Sequence, residues 1–272
     1  MEISLSRSMK PLMRQLAGVS SRPLVRGVLL PGLSALAALA AWEAAARMDR
    51  VPDFILPAPG RVALRFWLAV SDGSLLRHTT ATLSEVVLGL LLGVILATIL
   101  GYLVGRSRLL ERLVSPYLVA SQAIPIVAIA PLLVIWFGPG MFSKVLICAL
   151  IVFFPVLVNT VVGVRAVPEN LRDLMHSMQS TPLQTLLYLE IPAALPVFLG
   201  GLRIGATLSV IGAVVGEFVG ADRGLGFLIS VGRGQYDTAL VFVAILTLVV
   251  LALGLYGLVL LAEKRLLAWQ KN

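Results

Sequence analysis

Apolar residues along this chain arrive in long blocks rather than with the short periods of amphipathic helices or strands. Each block runs about 20 residues, enough to cross a hydrocarbon layer of roughly 30 Å. Five blocks predict uninterrupted membrane-spanning helices, at about 28–46, 83–104, 145–164, 191–218 and 239–261. A further block, 113–137, is apolar but interrupted by Pro116, Pro125 and Pro131. Proline removes a backbone donor and bends a helix. At membrane depth such a break survives only where it is buried in protein or lines a cavity. This block therefore predicts a span made of helical pieces and turned inward. The expected fold is an all-α membrane protein of about six transmembrane helices. Ala35, Ala37, Ala38, Ala40 and Ala41 imitate a signal-peptide cleavage region. The long segment before them and the continuation to Trp42 and Ala46 favour a retained first span.

Composition agrees with this pattern. The chain has 272 residues, 58% apolar and 13% charged, where soluble domains carry roughly a quarter charged residues. A soluble enzyme is excluded. Cys148 is the single cysteine, so there is no internal disulfide. With only His78 and His176 beside it, a Cys/His zinc site is excluded too.

The net charge of +8 belongs to a membrane protein that gathers Lys and Arg on its cytoplasmic side, not to a nucleic-acid binder. With the N-terminus inside, that side holds Arg7, Lys10, Arg14, Arg22, Arg26, Arg106, Arg108, Arg112, Arg165, Arg172, Lys264, Arg265 and Lys271. The outside holds Arg47, Arg50, Arg61, Arg65, Arg77, Lys144, Arg223 and Arg233, and Arg203 falls inside a span. The bias places both termini in the cytoplasm. The chain then divides into a basic N-terminal segment, 1–27, a single transmembrane domain, 28–264, and a cytoplasmic tail, 265–272.

Three connections are more than short loops. Residues 61–70, with Phe66 and Trp67, read as a short amphipathic helix at the outer interface or as an ordinary packed loop. On the cytoplasmic side, Pro168 and Glu169 mark a helix start. Ser180 or Thr181 before Pro182 marks a second one. The element 168–190 is thus a helix, a sharp turn and another helix leading into the fifth span, a shape suited to docking a soluble partner. The third connection, 220–237, is rich in glycine with Leu225, Phe227, Leu228 and Ile229 in its middle. It predicts a mobile or re-entrant loop over the pathway. Gly224-Leu225-Gly226 has neither a preceding strand nor a following Gly-Lys-Ser/Thr, so it is not a nucleotide loop.

Small residues recur every four positions in two spans: Gly89, Gly93, Ala97, Gly101 and Gly105 in the second, and Gly201, Gly205, Ser209 and Ala213 in the fifth. Gly212, Gly216 and Gly220 form another ridge on the fifth. Such ridges let helix backbones approach closely, within a subunit or across a dimer. Glu217 is the only acid that reads as lying well inside a span, facing a cavity or pairing with a base. Arg203 reads as snorkelling, pairing or lining the pathway. Gln122 and Asn159 are candidates for hydrogen bonds to a passing solute or a neighbouring helix. No catalytic constellation is visible, so no enzyme activity is expected of this chain.

The cytoplasmic element also carries a resemblance. Asp173-Leu174-Met175, three residues, Gln179, nine residues and Leu189-Glu190-Ile191-Pro192 resembles, in spacing throughout, the Glu-Ala-Ala signature of ABC-importer permease subunits. Pro192–Pro196, Gly201–Ile204, Gly216-Glu217, Gly220–Gly226, Leu56–Pro59, Ser121–Pro125 and Trp136–Gly138 resemble the nitrate/sulfonate/taurine branch of the binding-protein-dependent, type I family. Two departures stand out. Asp173-Leu174-Met175 replaces Glu-Ala-Ala, and Gln179 replaces the glycine at the turn. If that turn needs a left-handed backbone, Gln179 costs roughly 1–2 kcal/mol.

The resemblance implies two permease chains forming a path, two ATPase subunits holding ATP and Mg beneath them, and a binding protein delivering solute outside. It places ATPase coupling on Asp173, Leu174, Met175, Gln179, Ser180, Pro182, Leu189, Ile191 and Pro192. Candidates for the pathway or gate are Gln122, Pro125, Asn159, Arg203, Glu217, Leu225 and Phe227. The chain itself lacks a phosphate-binding loop, so the energy must come from a partner. The expected location is a bacterial inner membrane. The branch handles nitrate, taurine, alkanesulfonates and pyrimidine or flavin-type vitamin precursors. Residues 143–145 and 153–160 look closer to the vitamin-precursor members. The rival reading is a secondary carrier driven by an ion gradient, which would usually show repeats and embedded ion ligands.

Overall fold

The structure is a computed structural model that describes residues 23–48, 52 and 54–271. The basic N-terminal residues Arg7, Lys10, Arg14 and Arg22, and Arg50, lie outside the described residues. All regular structure among the described residues is helical.

The chain forms two compact units, Met1–Arg61 and Val62–Asn272. In the first, α1 (Pro23–Ala46) is the predicted first span. It runs 24 residues. The Trp42 indole donates to the Pro57 carbonyl at 3.0 Å, and Arg47 pairs with Glu43 one turn earlier at 2.6 Å.

The second unit begins within α2 (Pro59–Ser71), so the stretch at 61–70 is a helix and not a loop. Then follow α3 (Ser74–Arg106), α4 (Arg108–Gln122), α5 (Ile126–Phe137), α6 (Met141–Arg165), α7 (Glu169–Ser177) and α8 (Pro182–Thr185). A π-helical turn, Leu186–Glu190, joins α8 to α9 (Ile191–Gly220). The last long elements are α10 (Leu225–Gly234) and α11 (Thr238–Leu266). Among the described residues four helical stretches are long and apolar enough to cross a membrane, or five if the bent pair α4–α5 is one span. The predicted first span, α1, stands outside that count.

The bent pair is the block read from sequence as a span made of helical pieces. Its two helices meet at 92°. The 12 residues of α5 reach only about 18 Å, short of a crossing. Of the three prolines in this block only Pro125 sets the bend. It stands before the first residue of α5, while Pro116 and Pro131 sit inside helices. A proline also pushes its predecessor, here Ile124, out of the helical region.

The centre of the unit is α6, sandwiched between α3 and α9. The small-residue ridges of α3 and α9 face it through most of their glycines, which therefore serve packing within the subunit. A Cβ on Gly93 would stand 2.7 Å from the Ala149 carbonyl oxygen, and one on Gly101 would stand 2.7 Å from Thr160. From the other side, a Cβ on Gly212 would stand 2.8 Å from the Cys148 Cα, and one on Gly201 2.6 Å from Asn159. Gly89, Gly105, Gly205 and Gly216 likewise face α6. The apolar layers between the three helices are closed: Val86, Cys148, Val210 and Ala213 form one, and Ala97, Val152, Val156 and Leu157 the next.

This packing makes Gly212 and Gly254 opposite cases. Gly212→Ala must push the α6 backbone away, an overpacking cost of about 1–3 kcal/mol. On α11, a methyl added at Gly254 would meet nothing within 4 Å. There Ala gains helix propensity of about 0.5–1 kcal/mol. Thermal unfolding in detergent should therefore fall for the first variant and hold or rise for the second. A Gly212→Ala protein as stable as the parent would contradict the sandwich.

Candidate functional site

Three clusters of polar or exposed groups stand out, and all lie in the second unit. At one end of the spans, α7 and α8 form the helix–turn–helix expected from the sequence. Pro168 stands at the N-cap of α7 and Glu169 complements its first turn. Thr181 caps α8 in a reciprocal box with Gln184, and Pro182 occupies the first turn.

Between them Gln179 is left-handed, at φ 55°. Its N–H bonds to the His176 carbonyl at 2.9 Å, and the Ser180 N–H reaches back to Met175 at 3.1 Å. That pair of bonds is a Schellman closure, in which glycine is the usual left-handed residue. The turn therefore keeps the geometry of the signature glycine without the glycine. Asp173 is exposed and Met175 half-buried. Leu174 and Met178 are 55% and 71% exposed, and Leu183 is exposed beyond them. Leu189 and Pro192 are half-buried and Ile191 exposed, at the junction with α9.

The inner side of this element is anchored by a residue to which the sequence pattern assigns no role. Glu190 is 3% exposed, at the end of the π turn. It accepts from the Tyr102 hydroxyl at 2.8 Å, with Arg172 Nε at 3.5 Å and Arg106 Nη1 at 3.9 Å. Arg106 also donates to the Tyr102 oxygen at 2.6 Å, and Arg172 to the Val164 carbonyl at 2.8 Å. One carboxylate thus ties together the ends of α3 and α6, the middle of α7 and the root of α9. π turns concentrate at functional positions.

At the opposite end the glycine-rich connection is not a loop. Residues 225–234 form α10, with Leu225 and Leu228 buried. Of the two readings, mobile or re-entrant, the mobile one is corrected, and the reason lies in the first turn. The Gly224 N–H bonds to His78 Nδ1 at 3.0 Å and the Leu225 N–H to Thr82 Oγ1 at 2.8 Å. The Gly226 N–H bonds to the Glu217 carboxylate. Three otherwise orphaned helix donors are thereby satisfied. Gly224 has φ 121°, and a Cβ there would collide with the Glu217 carboxyl. Phe227 stacks on His78 with centroids 5.7 Å apart.

Glu217 is 2% exposed and also accepts from Thr82 at 2.6 Å. It caps a helix and, among the described residues, makes no direct ion pair. Beside it lies Glu85, 3% exposed, whose Oε1 receives Lys144 Nζ at 2.9 Å. The other Glu85 oxygen has no donor, and the Glu217 carboxylate acts on it electrostatically. Glu85 is a second acid inside a span, against the expectation of Glu217 as the only one. It falls at the edge of the predicted block, where a carboxylate passes as interfacial. Asp222, on the connecting segment, is held below the usual carboxylate range by its own backbone N–H and the Arg223 side chain.

The third cluster lines a cavity of about 480 Å³ beside the α4–α5 break. Gln122 and Asn159 both line it, with Ser121, Phe154 and Pro155. Pro125 stands at the break itself. Arg203 does not line this cavity. It pairs with Glu263 on α11, with its guanidinium over the Tyr256 ring. Among the described residues no group of three or more His, Cys, Asp or Glu side chains could hold a metal ion.

A bundle of apolar helices, a proline-broken pair beside a polar cavity and a folded helix–turn–helix at one end define a membrane permease. Residues 89–268 match the family described as "Binding-protein-dependent transport system inner membrane component", and the chain belongs to that family. It is similar to the riboflavin transport system permease protein RibX of Chloroflexus aurantiacus, at 48% identity over 85% of this chain and 86% of that one. It is also similar to the formylaminopyrimidine transport permease protein ThiX of Halalkalibacterium halodurans, at 38% identity over 90% and 97%. The fold matches inward-facing structures of the MetNI methionine ABC transporter, with a TM-score of 0.63 and 19% identity over 72% of this chain and 97% of that one. The chain is therefore the permease subunit of an ABC importer, and the type I permease fold expected from the sequence is the one found.

Proposed function

We propose that two copies of this chain form the path of a bacterial inner-membrane importer, with both termini in the cytoplasm. Two ATP-binding subunits carrying ATP and Mg dock beneath, and an extracytoplasmic binding protein delivers the solute. The observation that carries this reading is the α7–α8 element. Its outer side offers Leu174, Met178 and Leu183 to a partner, while its inner side is fastened by Glu190 to three spans. Apolar side chains left in water at the tip of a rigid element are what a soluble partner's groove covers. The excess of basic residues at the same end supports a cytoplasmic placement. Closure of the ATPases on ATP would move this element and bias the spans between two states. No residue of this chain hydrolyses anything in that scheme.

The solute is of the vitamin or vitamin-precursor type, riboflavin or a formylaminopyrimidine, which are what the permeases RibX and ThiX are named for.

Asp173→Arg combined with Leu174→Glu should weaken capture of the ATPase subunits at least tenfold, equivalent to about 1.4 kcal/mol. Co-purification from detergent, quantified by the subunit ratio, reads the effect. Unchanged stoichiometry together with unchanged uptake would refute docking at this element.

A further inference from the structure

We propose that the cavity beside the α4–α5 break is where the moving solute is read, and that it accepts an uncharged planar heterocycle and refuses an anion. The inference rests on the chain being the path-forming subunit described above. Its volume of about 480 Å³ lies in the range of small-molecule sites, far larger than nitrate or a short sulfonate needs.

Its wall is mostly apolar, with Ser121, Gln122 and Asn159 as its polar side chains and no charged one. The Asn159 amide donates to the Pro155 carbonyl at 2.8 Å, which orients the side chain and leaves its oxygen as an acceptor. Gly201 makes room for that side chain, since a Cβ there would stand 2.6 Å from it. Pro155 has no N–H to offer the Ile151 carbonyl one turn earlier, and Ile151 and Pro155 both line the cavity. Pro155 thereby leaves the Ile151 carbonyl of α6 without its usual helical donor, close to the amides of Gln122 and Asn159. Phe154 adds an aromatic face, held edge-to-face against Phe153 at 5.2 Å. Acceptors, amide donors and a ring face together match the edge and the plane of a nitrogen heterocycle.

An anion would meet no partner here. No Lys, Arg or His lines the cavity. Two basic residues deeper in the helices, Lys144 and Arg203, are already matched, to Glu85 and Glu263. An unpaired anion brought into such surroundings loses its water and gains no counter-charge. Gln122 and Asn159 are thus specificity-determining residues, and the paired state of Lys144 and Arg203 is part of the selection.

The test uses the whole transporter, permease with its ATPase subunits and binding protein, in vesicles energised with internal ATP. The probes are riboflavin, a formylaminopyrimidine, taurine and ethanesulfonate. ATP-dependent accumulation of a heterocycle is expected, with neither sulfonate accumulating. Gln122→Leu and the isosteric Asn159→Asp should each cut heterocycle uptake at least tenfold, while Gln122→Asn retains most of it. The permease–ATPase complexes of these variants should keep the parent's subunit ratio and melting midpoint, which separates lost reading from lost folding. Sulfonate uptake without heterocycle uptake overturns the proposal. So does unchanged uptake in both variants, or no heterocycle uptake by the intact complex. Uptake that proceeds without ATP, or a permease that captures no ATPase subunit, would instead defeat the importer reading on which it rests.

Discussion

Lys144→Met is expected to destabilise the protein by about 3–5 kcal/mol, the cost of breaking a buried ion pair from one side. In the native fold the ammonium of Lys144, 4% exposed, stands 2.9 Å from Glu85, with the Glu217 carboxylate next to both. Removing it leaves two buried carboxylates with no cation, and the remaining charge stays desolvated. For a domain of this size that lowers the unfolding midpoint by on the order of 10 °C. The injury should also spread to α10, whose first N–H groups depend on Glu217, Thr82 and His78. Adding Glu85→Gln to Lys144→Met removes the stranded charge and should recover most of the loss. The check is a melting series of parent, both single variants and the double variant in one detergent. A Lys144→Met midpoint within about 2 °C of the parent would refute the account.

Glu190→Leu is expected to separate ATP hydrolysis from transport. Its carboxylate joins Tyr102, Arg106 and Arg172, and through Arg172 the Val164 carbonyl, so the element that meets the ATPase moves together with the spans. Arg106 is about half exposed and Arg172 less so. Both can turn partly to water when Glu190 is gone. The stability cost should then be modest, about 1–3 kcal/mol for hydrogen bonds to a charged group. The larger effect is mechanical, with uptake per ATP hydrolysed dropping roughly tenfold or more, about 1.4 kcal/mol of coupling. Glu190→Gln, which keeps an acceptor for Tyr102, should lie between. Uptake and phosphate release measured on the same vesicles decide the matter. Parallel falls of both, or no fall in either, would show that the carboxylate does not transmit the motion.

Both residues lie where sequence pattern stops being informative. Glu190 belongs to the permease signature itself, yet spacing gives it no partner. Tyr102 and Arg106 are 88 and 84 positions away and meet it only because α3 ends beside the root of α9. Glu85 and Lys144 each look like end-of-span charges, and they become a buried pair because α3 and α6 pack at that height. The glycine-rich connection misleads for a related reason. Glycines at 220, 224, 226, 232 and 234 predict a loop by propensity, but tertiary hydrogen bonds to the first turn and burial of Leu225 and Leu228 override that weak preference. Of the three prolines in the broken block, nothing local says that only Pro125 sets the bend.

What the sequence determined by itself was everything that depends on local order and on water: apolar blocks long enough to span, the small-residue ridges, the cap-and-start signals of the α7–α8 element and the family signature spread along the chain. These follow from transfer free energy and backbone propensity, which act residue by residue. What only the tertiary structure decided was partnership: that the ridges of α3 and α9 close on α6, that Arg203 belongs to Glu263 and not to the cavity, and that Gln122 and Asn159 line one cavity. Such pairings join residues far apart in the chain, and no local period encodes which of several charged or polar side chains will meet when the helices pack.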